Sequence, residues 1–432
     1  MDKFTPLREL PHPSQWSSKD VLVVFGELFS RGYANGIVDL AKAKGMKVIY
    51  STVGRRDQAQ NLRPLTLEEI KEKETPLINV PLEAGFDLQP NSKGQTPMDY
   101  LKGYKMSEWQ NIKLDWKLIE ESRLAAVEDF RERVQKYITE LKKEIPHNAN
   151  VLFVHTMAGG FPRAKIVMPI TNKVFKGYDD RYSSSEEFWI SDLGKLCALN
   201  FKEVTGETFR HLIELTSELR DELNKNNQKI SYVAYGYHGT DVLIGEKYHW
   251  QSYSPYLQGW AKLHLEDISV QSFSNDIHAC VFNCPEILTN SSSIFLGVEV
   301  SLYPLLGALK KEGLSHPEAQ KILSECQGLL SDGHNLEDII IYCTKYLTSD
   351  TIKKWTDFDS WPQHNGNEQM KLMRESSAEL IDMHKDPKNL ITYKLSEVVI
   401  KACGKIMLNE SWQPKQPVWW LGHDIVAKQT LS

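Results

Sequence analysis

Short β-branched apolar runs alternate with amphipathic stretches of period near 3.6 along most of the chain, and this alternation restricts the fold more than any other feature. The runs at 21–26, 47–52, 76–80, 151–156, 230–237 and 293–297 are expected to be strands. The stretches at 33–44, 118–144, 206–225, 257–268, 301–312 and 316–331 are expected to be helices. In 118–144, Leu124, Val127, Phe130, Val134, Ile138 and Leu141 recur every three or four residues as one apolar stripe. Ser315 precedes His316, Pro317 and Glu318 as the start of a capping box. Strands that alternate with helices imply parallel β-α-β units, hence a doubly wound α/β sheet with helices on both faces.

Residues 81–117, rich in Pro, Gly, Asn and Lys, read as a long surface insertion. Near residue 333 the alternation stops, which divides the chain into a sheet domain, 1–332, and a helical extension, 333–432, packed on it. In that extension the VWWLGHD segment, Val418 to Asp424, is read first as a pin that fixes the tail to the core through Trp419 and Trp420, and second as a dimer contact.

The chain has 51 Lys+Arg against 57 Asp+Glu, so nothing electrostatic favours a nucleic-acid partner. Its six cysteines lack zinc-finger spacing and read as reduced thiols. His238, His249 and His264 have no Cys or carboxylate at ligand spacing, so no metal is expected. The opening MDKFTPLREL has no signal-like apolar core, and no run is long enough to span a membrane. A cytoplasmic monomer or homodimer is the expectation. Neither G-x-x-x-x-G-K-[ST] nor G-x-S-x-G is present, which leaves kinases, ATPases and serine hydrolases without their signatures.

Three segments carry chemistry. In residues 21–57 an apolar strand runs into Gly26, then Gly32 and Gly36, an amphipathic helix and a second strand. A Rossmann-like dinucleotide site needs this order, because a turn without side chains lets backbone N–H groups and a helix N-terminus approach a pyrophosphate. The spacing is not G-x-G-x-x-G, and a tight turn without a ligand is the alternative. After the second strand, Arg55 and Arg56 stand where an acid for the ribose 2′-hydroxyl is usual. They suit a 2′-phosphate, so NADPH is expected before NADH; solvated surface arginines are the other explanation. In residues 151–165 a buried strand leads into Met157-Ala158-Gly159-Gly160, which would let the chain pass close under a nicotinamide ribose; a plain Gly-rich turn is the alternative.

The third segment, 230–267, delivers Tyr235 and Tyr237 from a strand, then a loop, then Tyr253 just before a helix that carries Lys262. A lysine ammonium beside a tyrosine phenol lowers the phenol's pKa and can hold a nicotinamide ribose. Tyr253-x8-Lys262 can do this only with Tyr253 outside the helix, which Pro255 favours; Tyr256 is the poorer partner.

This Tyr-x8-Lys pair, with the strand VAYGYHGTD at 233–241 before it, resembles the trans-2-enoyl-CoA reductases and V-type bacterial enoyl-ACP reductases of the short-chain dehydrogenase/reductase superfamily. The segments RGYANG (31–36), VHTMAGGFP (155–162) and 287–330 are also similar to that family, and together the similar segments cover roughly half of the chain. The resemblance implies Tyr253 as the catalytic phenol, Lys262 as its ribose-binding partner and Tyr237 as a second hydroxyl near the thioester carbonyl. It places Arg31, Gly32, Tyr33 and Thr289 at the cofactor. It implies NAD(P)H-dependent reduction of the 2,3 double bond of an enoyl-CoA or enoyl-ACP, in fatty acid biosynthesis, with hydride to the β-carbon and an enolate stabilised by the tyrosine. The chain departs from the family in lacking a long segment before the first strand, in a longer glycine loop and in the arginines at 55–56. Two other readings stay open: a carbonyl reductase using the same Tyr–Lys pair, and an NADP-binding sensor without turnover.

Overall fold

The computed structural model describes residues 5–237, 239–252, 257–290, 297–353 and 363–432. Among these, seven strands form one sheet: β1 (Val21–Phe25), β2 (Lys47–Thr52), β3 (Leu77–Pro81), β4 (Val151–His155), β5 (Ile230–Gly236), β6 (Ala279–Asn283) and β7 (Val418–Trp420). Their spatial order is 3-2-1-4-5-6-7, and every neighbouring pair is parallel. This is the doubly wound, Rossmann-like order, with its reversal between β1 and β4. Those two central strands run in register from Val21 opposite Val151 to Phe25 opposite His155. Every residue of both is buried, which explains why they read as unbroken apolar runs.

Two apolar layers cover the sheet. Leu22, Val24, Leu152 and Val154 face one, with helix α1 (Tyr33–Ala43) and the C-terminal helices. Val21, Val23, Val151 and Phe153 face the other, with helix α2 (Trp116–Glu144) and helix α3 (Leu257–Phe273). Helix α4 (Ile391–Glu410) crosses α1 at very short range. A Cβ added to Gly36 would lie 2.0 Å from the Ile400 carbonyl oxygen, and one added to Gly404 would lie 2.2 Å from Gly36 C. Gly36 therefore serves helix packing.

The structure differs from the expectations at identifiable places. Strands β6 and β7 were not expected, because ACVFN holds only one β-branched residue and VWW is only three residues long. Residues 333–432 thus supply an edge strand as well as helices, and Trp420 is fully buried. The expected strand at 293–297 falls, apart from Gly297, outside the described residues. Leu124 is 54% exposed: six residues before Phe130 it lies about 240° round the helix, and Ser122 and Ala126 hold the buried face instead. His316, not Ser315, caps the helix Pro317–Gly328, its Nδ1 accepting from the Glu318 N–H at 3.2 Å. The 206–225 stretch is broken into a π turn, Lys202–Glu207, and two helices, Thr208–Leu215 and Ser217–Lys225. Pro304 splits 301–312 by starting its own helix, Pro304–Gly313, after Val298–Leu302. The loop after Tyr237 is a hairpin, Gly239–Ile244 paired antiparallel with Lys247–Ser252. Residues 81–117 build a small core of their own, with Phe86, Leu101, Trp109 and Ile112 buried against Val167, Phe188 and Leu196.

Because the α1–α4 crossing has no room for a side chain, Gly36→Leu should lower the free energy of unfolding by about 3 kcal/mol, read from chemical denaturation. An unchanged midpoint would show that the two helices are not in contact.

Candidate active site

The strands on either side of the reversal send their following loops to opposite faces, which leaves a crevice above the carboxyl ends of β1 and β4. An open cavity lies there. Its first wall is the loop 27–32 and the first turn of α1: Glu27, Leu28, Phe29, Arg31, Gly32, Tyr33, Ala34 and Asn35 all line it. No side chain caps α1 and no acid stands in its first turn, so its N–H groups and positive end face the cavity. Gly26 turns the chain with φ +115°, where an added Cβ would sit 2.6 Å from Thr156 Oγ1.

The second wall follows β4. Thr156, Ala158 and Gly159 line the cavity. Gly159 and Gly160 both have positive φ, and their carbonyls are held from below: Thr205 Oγ1 donates to Gly159 O at 3.0 Å and Asn200 Nδ2 to Gly160 O at 2.8 Å. The π turn that carries Thr205 also fixes α3, since a Cβ on Gly206 would meet His264 Cδ2 at 2.6 Å. The third wall is Tyr235 and Tyr237 from the end of β5, with Glu286, Ile287, Thr289 and Asn290 from the loop after β6. Asn290 closes the ring, its Oδ1 accepting from the Arg31 N–H at 2.8 Å.

Behind the tyrosines stands Lys262. It is fully buried, its Nζ lies 4.2 Å from the Tyr235 ring centroid and 5.5 Å from that of Tyr237, and it has no hydrogen-bond partner among the described residues. Burial pushes its ammonium down to about 7, against a smaller opposing pull from Cys284. Burial likewise raises both phenols well above their ordinary range. His155, stacked on Phe25 and bonded through Nε2 to Thr208 Oγ1 at 2.9 Å, is kept neutral by burial and by the nearby Lys262.

Of the residues singled out from the sequence, Arg31, Gly32, Tyr33, Ala158, Gly159, Tyr237 and Thr289 line this one cavity. Gly26 and Met157 lie one layer behind, packed on each other. Tyr253 lies outside the described residues, as do Pro255 and Tyr256. Arg55 and Arg56 do not line the cavity. Arg55 holds Glu27 through two contacts of 3.1 Å, and Arg56 holds Glu83. Glu27 was missed by sequence reasoning. It follows β1, yet Thr52 Oγ1 at the end of β2 donates to it at 3.3 Å, so its carboxylate occupies the place where a Rossmann acid usually arrives from β2. Glu286 was also missed; no local pattern marks a single acid in an apolar loop.

The residues present fit a dinucleotide: an uncapped helix N-terminus and a carboxylate over β2 line one cavity, a close glycine turn lies beneath it, and a buried ammonium without a hydrogen-bond partner among the described residues stands behind its tyrosine wall. Sheet and site together define a Rossmann-like, dinucleotide-dependent oxidoreductase. The family described as "Enoyl-acyl carrier protein reductase FabMG" matches residues 3–430. The chain belongs to this family, and it is an NAD(P)H-dependent enzyme that reduces the carbon–carbon double bond of an enoyl thioester. The structure described as apo FabMG, a novel type of enoyl-acyl carrier protein reductase, is 45% identical and superposes with a TM-score of 0.96 over 100% of this chain and 98% of that one. The NADH-bound FabMG structure is 39% identical, with a TM-score of 0.80 over 99% of each chain. No curated protein matches the sequence. Among the described residues no helix is long and apolar enough to cross a membrane, and no cluster of His, Cys, Asp and Glu could hold a metal ion.

Burial opposes ionisation of Glu27, but the bonds from Arg55 and from Lys73 at 2.7 Å outweigh it and hold the carboxyl at about 2. A depressed carboxyl pKa stabilises the fold above the unfolded value of about 4.3, and the stabilisation is lost as pH falls through the folded value. Wild type should therefore exceed Glu27→Gln in melting temperature at pH 6, with the gap closing between about pH 4 and 2. A gap independent of pH would show that Glu27 is not held as an ion.

Proposed function

We propose that the enzyme uses NADH in preference to NADPH and takes its enoyl group from an acyl carrier protein, with Tyr253, Lys262 and Tyr237 as its catalytic residues. The observation that carries the site assignment is the buried Lys262 ammonium, unpartnered among the described residues and set against two tyrosines of the cavity wall. A desolvated cation is costly unless something it binds completes it, and a ribose diol and a phenol are groups that would. Lys262 then draws down the Tyr253 phenol across the x8 spacing and orients the ribose. Tyr237 offers a second hydroxyl to the thioester oxygen, where negative charge develops. The reduced nicotinamide supplies a hydride to the β-carbon when bound.

The NADH preference rests on Glu27. A carboxylate kept ionised over the end of β2 accepts the ribose 2′-hydroxyl and repels a 2′-phosphate, and the arginines that would have welcomed that phosphate are already engaged. The relative solved with NADH supports the same cofactor. The carrier-protein substrate follows the family description. Gly26, Arg31, Gly32, Tyr33, Met157, Ala158, Gly159 and Thr289 shape the cofactor cleft. Residues 1–332 act as the reductase domain and 333–432 as an extension packed on it that completes its frame.

Cofactor oxidation with crotonyl-ACP and crotonyl-CoA tests this. NADH should exceed NADPH in kcat/KM by about tenfold or more, roughly 1.4 kcal/mol, and Glu27→Gln should narrow the ratio. Tyr253→Phe should lose about 10²–10⁴ in kcat. Wild-type rates in that variant would remove Tyr253 from the chemistry, and an NADPH preference would overturn the role of Glu27.

A further inference from the structure

Reduction of an enoyl thioester needs a proton at the α-carbon as well as a hydride at the β-carbon, and the tyrosines of this site are poorly placed to supply it. A phenol that holds the enolate oxygen is bonded to the wrong atom, and Lys262 stands behind the tyrosine rings. The cavity wall contains another acid. Glu286 lies three residues after β6, in the loop whose Thr289 and Asn290 line the same cavity beside Tyr237. We propose that Glu286 is the general acid that delivers this proton, an inference that rests on the enoyl reductase reading and deepens it.

The surroundings of Glu286 suit an acid kept in its neutral form. Burial pushes its carboxyl up to about 8; a hydrogen bond with Ser301 opposes this and the neighbouring Glu299 adds to it. Ser301 and Glu299 belong to the helix Val298–Leu302. Tyr346, from the helix Leu336–Thr348, also feels its charge, and Glu27 and Arg31 belong to the wall of the same cavity. At neutral pH the group carries a proton that it can give, and Glu27, held as an anion by Arg55 and Lys73, does not. The two cavity acids are thereby separated by environment into an anion and a proton donor.

The step balances. Hydride addition places two electrons and a hydrogen on the β-carbon and leaves an enolate. As the enolate C=C bond returns to C=O, the α-carbon takes the proton from the Glu286 O–H bond. The carboxylate left behind is reprotonated from water.

Three measurements on Glu286→Gln and Glu286→Asp, in the full chain with crotonyl-ACP, test this. Glu286→Gln should lose about 10²–10³ in kcat with KM within a few-fold, and should lose the alkaline fall in kcat near pH 8, while Glu286→Asp regains part of the rate. In D₂O the wild type should place deuterium on one face of the α-carbon, and Glu286→Gln should scramble the face, read by NMR of the product. NADH should raise the melting temperature of the variant as it does that of wild type. A variant with wild-type kcat, pH profile and stereochemistry overturns the inference, even where Tyr253→Phe and Lys262→Met abolish turnover. Loss of the NADH-induced stabilisation overturns it too, since Glu286 would then serve cofactor binding. A wild type that turns over no enoyl thioester would sink the reductase reading itself.

Discussion

The reversal of strand order between β1 and β4 is the constraint on which everything functional here depends. Parallel strands must be joined by crossovers, and crossovers from the two central strands leave in opposite directions. No backbone can then cover the carboxyl ends of β1 and β4, so a cavity is built in by topology. The loops that rim it come from 27–32, 156–160, 235–237 and 286–290, four stretches far apart in sequence. Their spacing is held by a few bonds between loops, such as Arg31 N–H to Asn290, and by the Thr205 and Asn200 supports under Gly159 and Gly160.

Placed in that frame, charge decides what each wall can do. Glu27 and Glu286 are both acids on the cavity wall, yet two cations hold the first ionised at about 2 and burial holds the second at about 8. The difference comes from neighbours. Glu27 has Arg55 and Lys73 within hydrogen-bonding distance, whereas Glu286 has a serine and a second acid. Lys262 completes the set as a cation that burial has weakened. A site with a fixed anion, a weakened cation and a neutral acid can bind a diol, steady an oxyanion and give up a proton.

The doubly wound fold was legible because β1, β4 and β5 are apolar runs with several β-branched residues, and the helices between them have clear faces. Strands β6 and β7 were not: β6 is as long as β1 but ACVFN holds a single β-branched residue, and β7 has only three residues. The stripe in α2 was read off the buried face at its start: Leu124 is exposed, and Ser122 and Ala126, two residues to either side, hold that face. Around the cavity, the glycine turn, the Gly159 loop and Tyr237 were marked in the sequence by their places after predicted strands, and Lys262 by its spacing from Tyr253. Glu27 was invisible as a site residue: sequence places it beside β1, and only the sheet brings it over β2. For the same reason Arg55 and Arg56 looked like phosphate ligands, when each already had a carboxylate.

The last hundred residues bear on the site through α4. Gly404 on this helix meets Gly36 of α1, whose N-terminus faces the cavity, and Ser396 on the same helix accepts from the Leu288 N–H at 2.9 Å in the loop that carries Glu286 and Thr289. One helix thus ties the wall built on α1 to the wall built on the loop after β6. Strand β7 ends the sheet beside β6, the strand from which that loop departs, and holds its other side. The geometry that must align a hydride donor with an acyl β-carbon is therefore fixed from outside the β-α units that form the nucleotide site. That gives a physical reason for a reductase of this kind to keep such an extension: it spaces the two walls, and a spacing error of about 1 Å is enough to cost a large part of the rate.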